Sequence, residues 1–141
     1  MIDFHVSWLP LVTVAVVNFI VSWFYYSPAA PWFKAWQRGV GMDPNKKEMT
    51  EADRKAMPGL MLGAVVATFL FPYGLQVLVH SVHAVSFGAG AVLGLLVWVT
   101  FVVSVGLNTM FEGRKAFVIV LNNILYAITY AVFGGLFAVW S

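Results

Sequence analysis

The sequence contains no cysteine and few charged residues. Of its 141 residues, 10% are charged, whereas about 25% are charged in a typical soluble domain. The missing cysteine excludes disulfide bonds, thiolate metal ligands and cysteine nucleophiles. The formal net charge of +2 is too small to indicate nucleic-acid binding. Hydrophobic residues make up 61% of the chain, more than a soluble domain of this size can bury, so a lipid bilayer must cover much of their surface.

Catalytic motifs are missing as well. The chain has no phosphate-binding glycine loop, no Gly-x-Ser-x-Gly elbow and no His-Glu-x-x-His zinc helix. Its long apolar stretches contain no pair of carboxylates and no clear general base. These absences argue against an enzyme, and the sequence predicts no cofactor and no metal. One alternative stays open, because His5, His80 and His83 map to one side of the predicted membrane with Asp3 and would suit zinc if they converged.

Four apolar stretches are long enough to cross a bilayer. Each exceeds the roughly 20 residues that cross about 30 Å of hydrocarbon as an α-helix. The first is expected to end near Ser27, because Pro28 and Pro31 interrupt the helix that precedes them. The predicted spans cover about residues 6–27, 57–79, 85–111 and 116–140. We therefore predict an all-α protein with a single transmembrane domain over residues 1–141, folded as an integral membrane four-helix bundle.

The basic residues predict the orientation of this bundle. All eight lysines and arginines lie in the two loops on one side of a four-span arrangement. They are Lys34, Arg38, Lys46, Lys47, Arg54 and Lys55 after the first span, and Arg114 and Lys115 after the third. The positive-inside rule places that side in the cytoplasm, so both termini are expected on the non-cytoplasmic side.

The first of these loops has helical character. Trp32, Phe33 and Trp36 share one face of a helix over Pro31–Arg38, while the charged residues point elsewhere. This pattern is typical of a short helix that lies in the membrane interface. The alternative is a solvated, charged loop without regular structure.

The second and third spans carry signals for a helix start and for close helix packing. Thr50 and Asp53 have the spacing of a helix N-cap, so a helix is expected from about Glu51 into the second span. Small residues four positions apart let helices approach closely. The glycines with this spacing are Gly59, Gly63, Gly90 and Gly94. We hypothesise that at least one of these pairs lies at a contact between subunits, and packing within one chain is the alternative.

Three spans carry polar residues at four-residue spacing, which places each set on one helical face. The set on the third span is Thr100, Ser104, Asn108 and Glu112. The first span has Asn18, Ser22 and Tyr26, and the fourth has Asn122, Tyr126 and Tyr130, with Asn123 and Thr129 beside them. Because polar groups in hydrocarbon are costly unless they are paired, the three sets are expected to face inward and form one polar seam.

Two interpretations of this seam remain open. It is either a structural contact between helices, in which each hydrogen bond contributes about 0.6 kcal/mol, or the lining of a site. Asparagine favours a site, since it bonds back to its own helix less readily than serine or threonine. In either case Asn108 and Asn122 are expected to bond to each other or to share a water. The candidate ligand-binding residues are Asn18, Ser22, Tyr26, Ser104, Asn108, Glu112, Arg114, Asn122, Asn123 and Tyr126.

Short motifs along the chain resemble one known family. The first span ends in Tyr25-Tyr26-Ser27-Pro28, close to a Trp-Tyr-Ser-Pro signature, and Lys34-Ala35-Trp36 matches the Lys-x-Trp that follows it. Later matches are Asn108, Phe111-Glu112-Gly113-Arg114, Asn122 and Tyr126. Their order resembles, over essentially the whole chain, a family of small bacterial four-helix membrane proteins catalogued as domain of unknown function number seventeen sixty-one. The resemblance implies a bacterial inner-membrane protein and implies no activity.

Two functions are compatible with these features. The first is binding or transport of a small polar or amphipathic ligand in the seam between spans one, three and four. Because four spans are few for a transporter, a homo-oligomer is then expected. The alternative is a structural or accessory subunit that packs in a membrane complex or a homo-oligomer. The expected location is the bacterial inner (plasma) membrane, and the expected partners are the lipid bilayer, a small-molecule ligand and further copies of the chain, but no nucleic acid.

Overall fold

The computed structural model describes residues 1–45 and 48–140. Lys46 and Lys47, which contribute to the charge argument for orientation, and Ser141 lie outside the described residues. In the described part, the regular secondary structure is helical. The elements are α1 (Trp8–Tyr25), α2 (Phe33–Gly39), α3 (Glu51–Ser81), α4 (Phe87–Val97), a π-helical turn (Trp98–Val102), α5 (Val103–Phe111) and α6 (Ala116–Trp140).

Four helical stretches are long and apolar enough to cross a membrane, namely α1, α3, the continuous stretch Phe87–Phe111 and α6. They confirm the predicted all-α, four-span fold. The short helix predicted after the first span is also present, as α2. The third element begins at Glu51, where Thr50 and Asp53 form a reciprocal capping box that satisfies the first backbone N–H groups. The local capping signal in the sequence therefore specified where α3 begins.

The last helix, α6, is the centre of the bundle. It packs against α1, α2, α3, α4 and α5, and α1 also packs against α3. The buried core lies where α1, α3 and α6 meet, and its fully or almost fully buried members are Val14, Leu75, Val79, Phe133 and Phe137. This core is close to the end of the bundle that carries His80 and His83, which we call the histidine end. The opposite end carries Arg38, Arg114 and Lys115 and is called the basic end.

A glycine contact joins α4 tightly to α6. A Cβ atom on Gly90 would collide with the backbone of Gly134, and one on Gly94 would collide with the backbone carbonyl of Tyr130. Both glycines are therefore used for packing inside the chain, which is the alternative that the sequence left open. The hypothesis that at least one glycine pair lies between subunits stays a prediction, and it now depends on Gly59 and Gly63.

The π-helical turn changes the face that the third span presents to α6. Asn108 follows Gly90 by about five turns at 3.6 residues per turn, so an uninterrupted α-helix would place both on the same side. A π turn accommodates about one additional residue. The extra residue moves Thr109 to the side that faces α6 and turns Asn108 outward, where its side chain is exposed.

Candidate functional site

Two consecutive tyrosines at the end of α1 bind two consecutive residues of α6. The Tyr25 hydroxyl donates to the Leu121 carbonyl oxygen at 2.8 Å, and the Tyr26 hydroxyl donates to Asn122 Oδ1 at 2.8 Å. Both contacts are partly buried, where water competes less for the donors and acceptors. These bonds fix the end of α1 against α6, and they are the part of the predicted polar seam that the structure contains.

The segment after α1 supports these tyrosines. Trp32 Nε1 donates to the Tyr25 carbonyl oxygen at 2.9 Å, and the two rings have centroids 4.7 Å apart. Trp36 packs on Tyr26 with a centroid distance of 5.1 Å. Aromatic pairs of this kind contribute about 0.5–1.5 kcal/mol each. The short helix α2 therefore folds back on the bundle with both indoles half-buried, and it helps to hold the tyrosine hydroxyls toward α6.

A groove of about 420 Å³ lies between α5 and α6, in the half of the bundle nearer the basic end. On the third span it is lined by Phe101, Val102, Val105, Gly106 and Thr109. The other side is formed by Arg114, Val118, Ile119, Asn122, Asn123, Tyr126 and Tyr130. Five of these residues have aliphatic or phenyl side chains, and six carry a polar group, so the groove combines apolar walls with placed polar groups, as small-molecule sites usually do.

The polar groups of the groove include both hydrogen-bond donors and hydrogen-bond acceptors. Asn122 uses Oδ1 to accept from Tyr26, so its amide nitrogen has no partner among the described residues. Thr109 already donates through Oγ1 to the Gly106 carbonyl oxygen at 2.6 Å. The Arg114 guanidinium is exposed and carries only donors. The Asn122 amide nitrogen and the Arg114 guanidinium can therefore both donate to a ligand group that accepts hydrogen bonds.

Asn123 lies at the closest contact of α5 with α6, and one of its side-chain atoms is unsatisfied. Its Nδ2 donates to the Ile119 carbonyl oxygen at 2.9 Å, whereas its Oδ1 is buried without a partner. A Cβ on Gly106 would lie 2.7 Å from that Nδ2, so a glycine allows α5 to approach here. Trp98 Nε1, in the π-helical turn, is also buried and unpaired. Each such group costs about 1–3 kcal/mol, so this part of the helix contact is the less stable part.

A second cavity of about 440 Å³ lies at the basic end, and we call it the basic mouth. Its lining residues are Arg38, Gly39, Val40, Gly41, Glu112, Gly113, Arg114 and Lys115. Arg114 lines both the groove and the basic mouth, so the two spaces meet at this side chain. Gly39 lies directly against Val118, where any larger residue would collide, and this contact holds the end of α2 over the start of α6.

The structure assembles one group of the predicted site residues and separates another. Those around the groove and the basic mouth are Tyr26, Glu112, Arg114, Asn122, Asn123 and Tyr126. Ser104 and Asn108 are exposed on α5, and Ser104 Oγ donates to the Thr100 carbonyl oxygen at 2.9 Å within its own span. Asn18 and Ser22 are half-buried on α1 and do not line the groove.

The prediction that the polar face of the third span joins the seam is therefore wrong. It assumed regular α-helical spacing along that span, and the π-helical turn shifts the spacing by one residue. Within the described part of the chain, the Asn108 side chain forms no hydrogen bond with Asn122 or with any other group. Gly106 and Thr109, which face α6 instead, were not predicted from the sequence, because no residue pattern in this span marks a π turn.

The histidines do not form a metal site in the structure. His80 Nδ1 lies 3.0 Å from the backbone carbonyl oxygen of His5, and Asp3 Oδ1 accepts from the His5 backbone N–H at 2.9 Å. Among the described residues, no three histidine or acidic side chains are grouped so as to hold an ion. The zinc alternative that the sequence left open therefore gains no support.

The fold and the groove define a class of protein, a four-helix membrane bundle with a lateral groove between its third and fourth spans. The chain belongs to the family described as "Protein of unknown function (DUF1761)", whose sequence profile matches residues 9–138. This match confirms the family resemblance drawn from the motifs. No curated protein and no solved structure matches the chain significantly. The family supplies no activity, so the function has to be argued from the groove itself.

Proposed function

We propose that this protein binds an amphipathic ligand in the groove between α5 and α6. The proposal rests on one observation, a groove with apolar walls along which polar residues, among them Asn122, Tyr126 and Arg114, are placed. Small-molecule sites usually combine apolar walls with a small number of placed polar groups, in volumes of roughly 300–1,000 Å³. The groove, at about 420 Å³, has both properties.

In this proposal the first span positions the site and does not line it. Tyr26 occupies Asn122 Oδ1, which leaves the amide nitrogen of Asn122 as the group that contacts a ligand. Tyr25 holds the adjacent backbone through the Leu121 carbonyl. The face of α6 that forms the groove is thereby fixed before a ligand arrives, which reduces the ordering cost of binding.

A photoactivatable lipid tests the proposal. The probe is phosphatidylethanolamine with a diazirine in one acyl chain, reconstituted with the protein and activated by light. We expect adducts to concentrate on exposed groove residues such as Val105 and Phe101 and to decrease when unlabelled lipid competes. Adducts spread evenly over all lipid-facing residues would contradict a site.

A pair of matched variants sharpens this experiment. Val105→Trp fills the groove from a position that is 63% exposed, and Leu96→Trp places the same side chain at a 56% exposed position of α4 outside the groove. We expect the first variant to lose the concentrated labelling and the second to retain it. Equal labelling of both variants would exclude the groove as the binding place.

We also propose an orientation of the bundle in the membrane. We place the basic end in the cytoplasm of a bacterial inner membrane and both termini outside, because all eight lysines and arginines belong in sequence to the loops that follow the first and third spans. The chain has no cysteine of its own, so Asp43→Cys and Val85→Cys, both at exposed positions, give clean labelling sites. An impermeant maleimide should reach only Val85→Cys from outside intact cells. The reverse result would overturn the orientation.

A second candidate function, a packing subunit, is favoured by the exposed first half of α3. Leu60, Met61 and Leu62 are 64%, 55% and 66% exposed, and nothing lies within 4 Å of a Cβ placed on Gly63. If a second copy of the chain packs there, Gly63→Leu should lower the native mass in mild detergent. Gly88→Leu, an equally open glycine near the histidine end, is the control. An unchanged mass for Gly63→Leu would argue against this candidate.

A further inference from the structure

We propose that the occupant of the groove is an anionic phospholipid whose phosphate-bearing headgroup binds in the basic mouth. This inference rests on the proposed function, because it assigns the polar end of the molecule whose apolar part lies in the groove. Arg114 is the residue that connects the two parts, since it lines both spaces.

The basic mouth carries unbalanced positive charge. It is lined by Arg38, Arg114 and Lys115 and by one acid, Glu112. Within residues 1–45 and 48–140, none of these four side chains takes part in an ion pair. Three cations against one carboxylate leave an excess of two positive charges beside an open space of about 440 Å³. An anion with several acceptor oxygens, such as a phosphodiester, supplies the missing counter-charge, and arginine binds it with charge-assisted hydrogen bonds.

The backbone brings these cations together from two separate loops. Gly41 and Gly113 line the mouth with φ angles of +81° and +82°, a conformation that other residues rarely adopt. The first turn follows Arg38 at the end of α2, and the second directs Arg114 toward the start of α6. The convergence of charge therefore depends on two turns that glycine makes possible, in addition to the general excess of basic residues at this end.

The shape of the joined spaces favours a lipid over a free phosphate. On α6 the groove extends from Val118 to Tyr130, roughly 18 Å of helix at 1.5 Å per residue. One leaflet of hydrocarbon is about 15 Å thick, half of the bilayer core, so the groove has the length of an acyl chain in that leaflet. A free phosphate would use the mouth alone. In the orientation proposed above, the mouth also faces the leaflet surface at which anionic lipids attract basic residues.

Native mass spectrometry of the full chain in detergent tests the assignment. The probes are phosphatidylglycerol and phosphatidylethanolamine with identical acyl chains. We expect the unmodified chain to bind phosphatidylglycerol about tenfold more tightly, and Arg114→Gln and Arg38→Gln each to weaken that binding about fivefold, the effect of one cation near an anionic lipid. Both variants should weaken phosphatidylethanolamine binding by a smaller factor, because that lipid shares the phosphodiester but carries no net charge, so the preference for phosphatidylglycerol should decrease. Glu112→Gln should strengthen phosphatidylglycerol binding. Equal affinity of the unmodified chain for the two lipids would overturn the inference.

A control cation distinguishes the mouth from the general surface potential. Arg54 is exposed near the start of α3 and lines neither the groove nor the mouth. Arg54→Gln should retain full phosphatidylglycerol binding, and a loss equal to that of Arg114→Gln would overturn the inference. Inorganic phosphate at millimolar concentration should not displace the lipid, and complete displacement would assign the mouth to free phosphate instead.

The photolabelling experiment separates this inference from the proposed function. Its probe, phosphatidylethanolamine, carries no net charge, so labelling of the groove does not require the mouth to select an anion. Groove labelling without a preference for phosphatidylglycerol would retain the proposed function and overturn the headgroup assignment. A preference for phosphatidylglycerol without groove labelling would overturn the proposed function and, with it, this inference.

Discussion

The third span meets α6 in two different ways on the two sides of the π-helical turn. Toward the histidine end, Gly90 and Gly94 bring α4 so close to α6 that no side chain fits between the backbones. Toward the basic end, Val105 and Thr109 of α5 border a groove of about 420 Å³. The same two spans thus form a closed contact in one half of the membrane and an open one in the other.

The difference indicates how a thin bundle can keep a cavity. The glycine contact fixes the third span, so α5 does not have to seal against α6 for the fold to hold. The π-helical turn then changes the packing face by one residue, and turns of this kind occur frequently at functional sites. Its unpaired Trp98 Nε1 lies in the same region as the unpaired Asn123 Oδ1. The close packing is therefore concentrated in one half of the contact, and the other half retains the groove.

Two single-residue deletions test the difference between the closed and open halves of this helix contact. The deletion in α6 should destabilise the protein more than any other change proposed below. Deleting Ile128 from the middle of α6 rotates everything after it away from Gly90 and Gly94, and should cost more than about 4 kcal/mol or prevent folding. Deleting the exposed Thr100 removes a residue that the π turn accommodates, so the turn can become α-helical while Thr109 still faces α6. We expect a loss of about 1–2 kcal/mol, measured by unfolding in mixed micelles. An equal loss of stability from both deletions would show that the π-helical turn does not compensate for a removed residue.

Three glycine-to-alanine changes compare the closed contact with the open one. Gly94→Ala places a methyl group against the Tyr130 backbone, which cannot move aside, and should cost about 1–3 kcal/mol. Gly106→Ala meets the flexible Asn123 side chain at 2.7 Å and should cost less. Gly63→Ala meets nothing within 4 Å, so helix propensity alone should make it neutral or stabilising by up to about 1 kcal/mol. Thermal unfolding in one detergent gives the order, and a Gly94→Ala variant as stable as Gly63→Ala would contradict the closed contact.

Local sequence signals predicted the structure well wherever the helices are regular. The capping box at Thr50 and Asp53 depends on neighbouring residues only, and it formed as expected. The sequence predicted that polar faces of the first and fourth spans meet, and Tyr26 bonds to Asn122 in that region, although this particular pair was not predicted. The prediction for Asn108 was wrong because regular α-helical spacing was extended across the π-helical turn. One extra residue in that turn changes which face of the third span meets α6.

The basic mouth was missed for a different reason. In the sequence, Arg38 contributes only to the charge argument for the orientation of the bundle. Its place beside Arg114 depends on α2 folding back over the start of α6, through the contact of Gly39 with Val118. That contact joins segments far apart in the chain, and no local pattern in either segment specifies it.

The smallest expected effect concerns the hydrogen bond between Tyr26 and Asn122, which links α1 to the open half of the contact. Tyr26→Phe leaves Asn122 Oδ1 unpaired, and Asn122→Leu leaves the Tyr26 hydroxyl unpaired. Each change should cost about 1 kcal/mol, and the double variant should recover about 0.6 kcal/mol, the average contribution of such bonds between membrane helices. Asn108→Leu, at an exposed position of α5, is the control and should change stability by less than about 0.5 kcal/mol.

The same variants separate positioning from binding when groove labelling is measured beside stability. Asn122→Leu removes the donor that we assign to the ligand, so it should abolish most of the labelling. Tyr26→Phe keeps that donor but releases the amide to rotate, so its labelling should fall only partly. If the two variants lose equal stability and equal labelling, the hydrogen bond between Tyr26 and Asn122 affects labelling only by stabilising the fold. If Tyr26→Phe loses no stability and Asn122→Leu still loses labelling, Asn122 contacts the ligand without needing α1 to hold it.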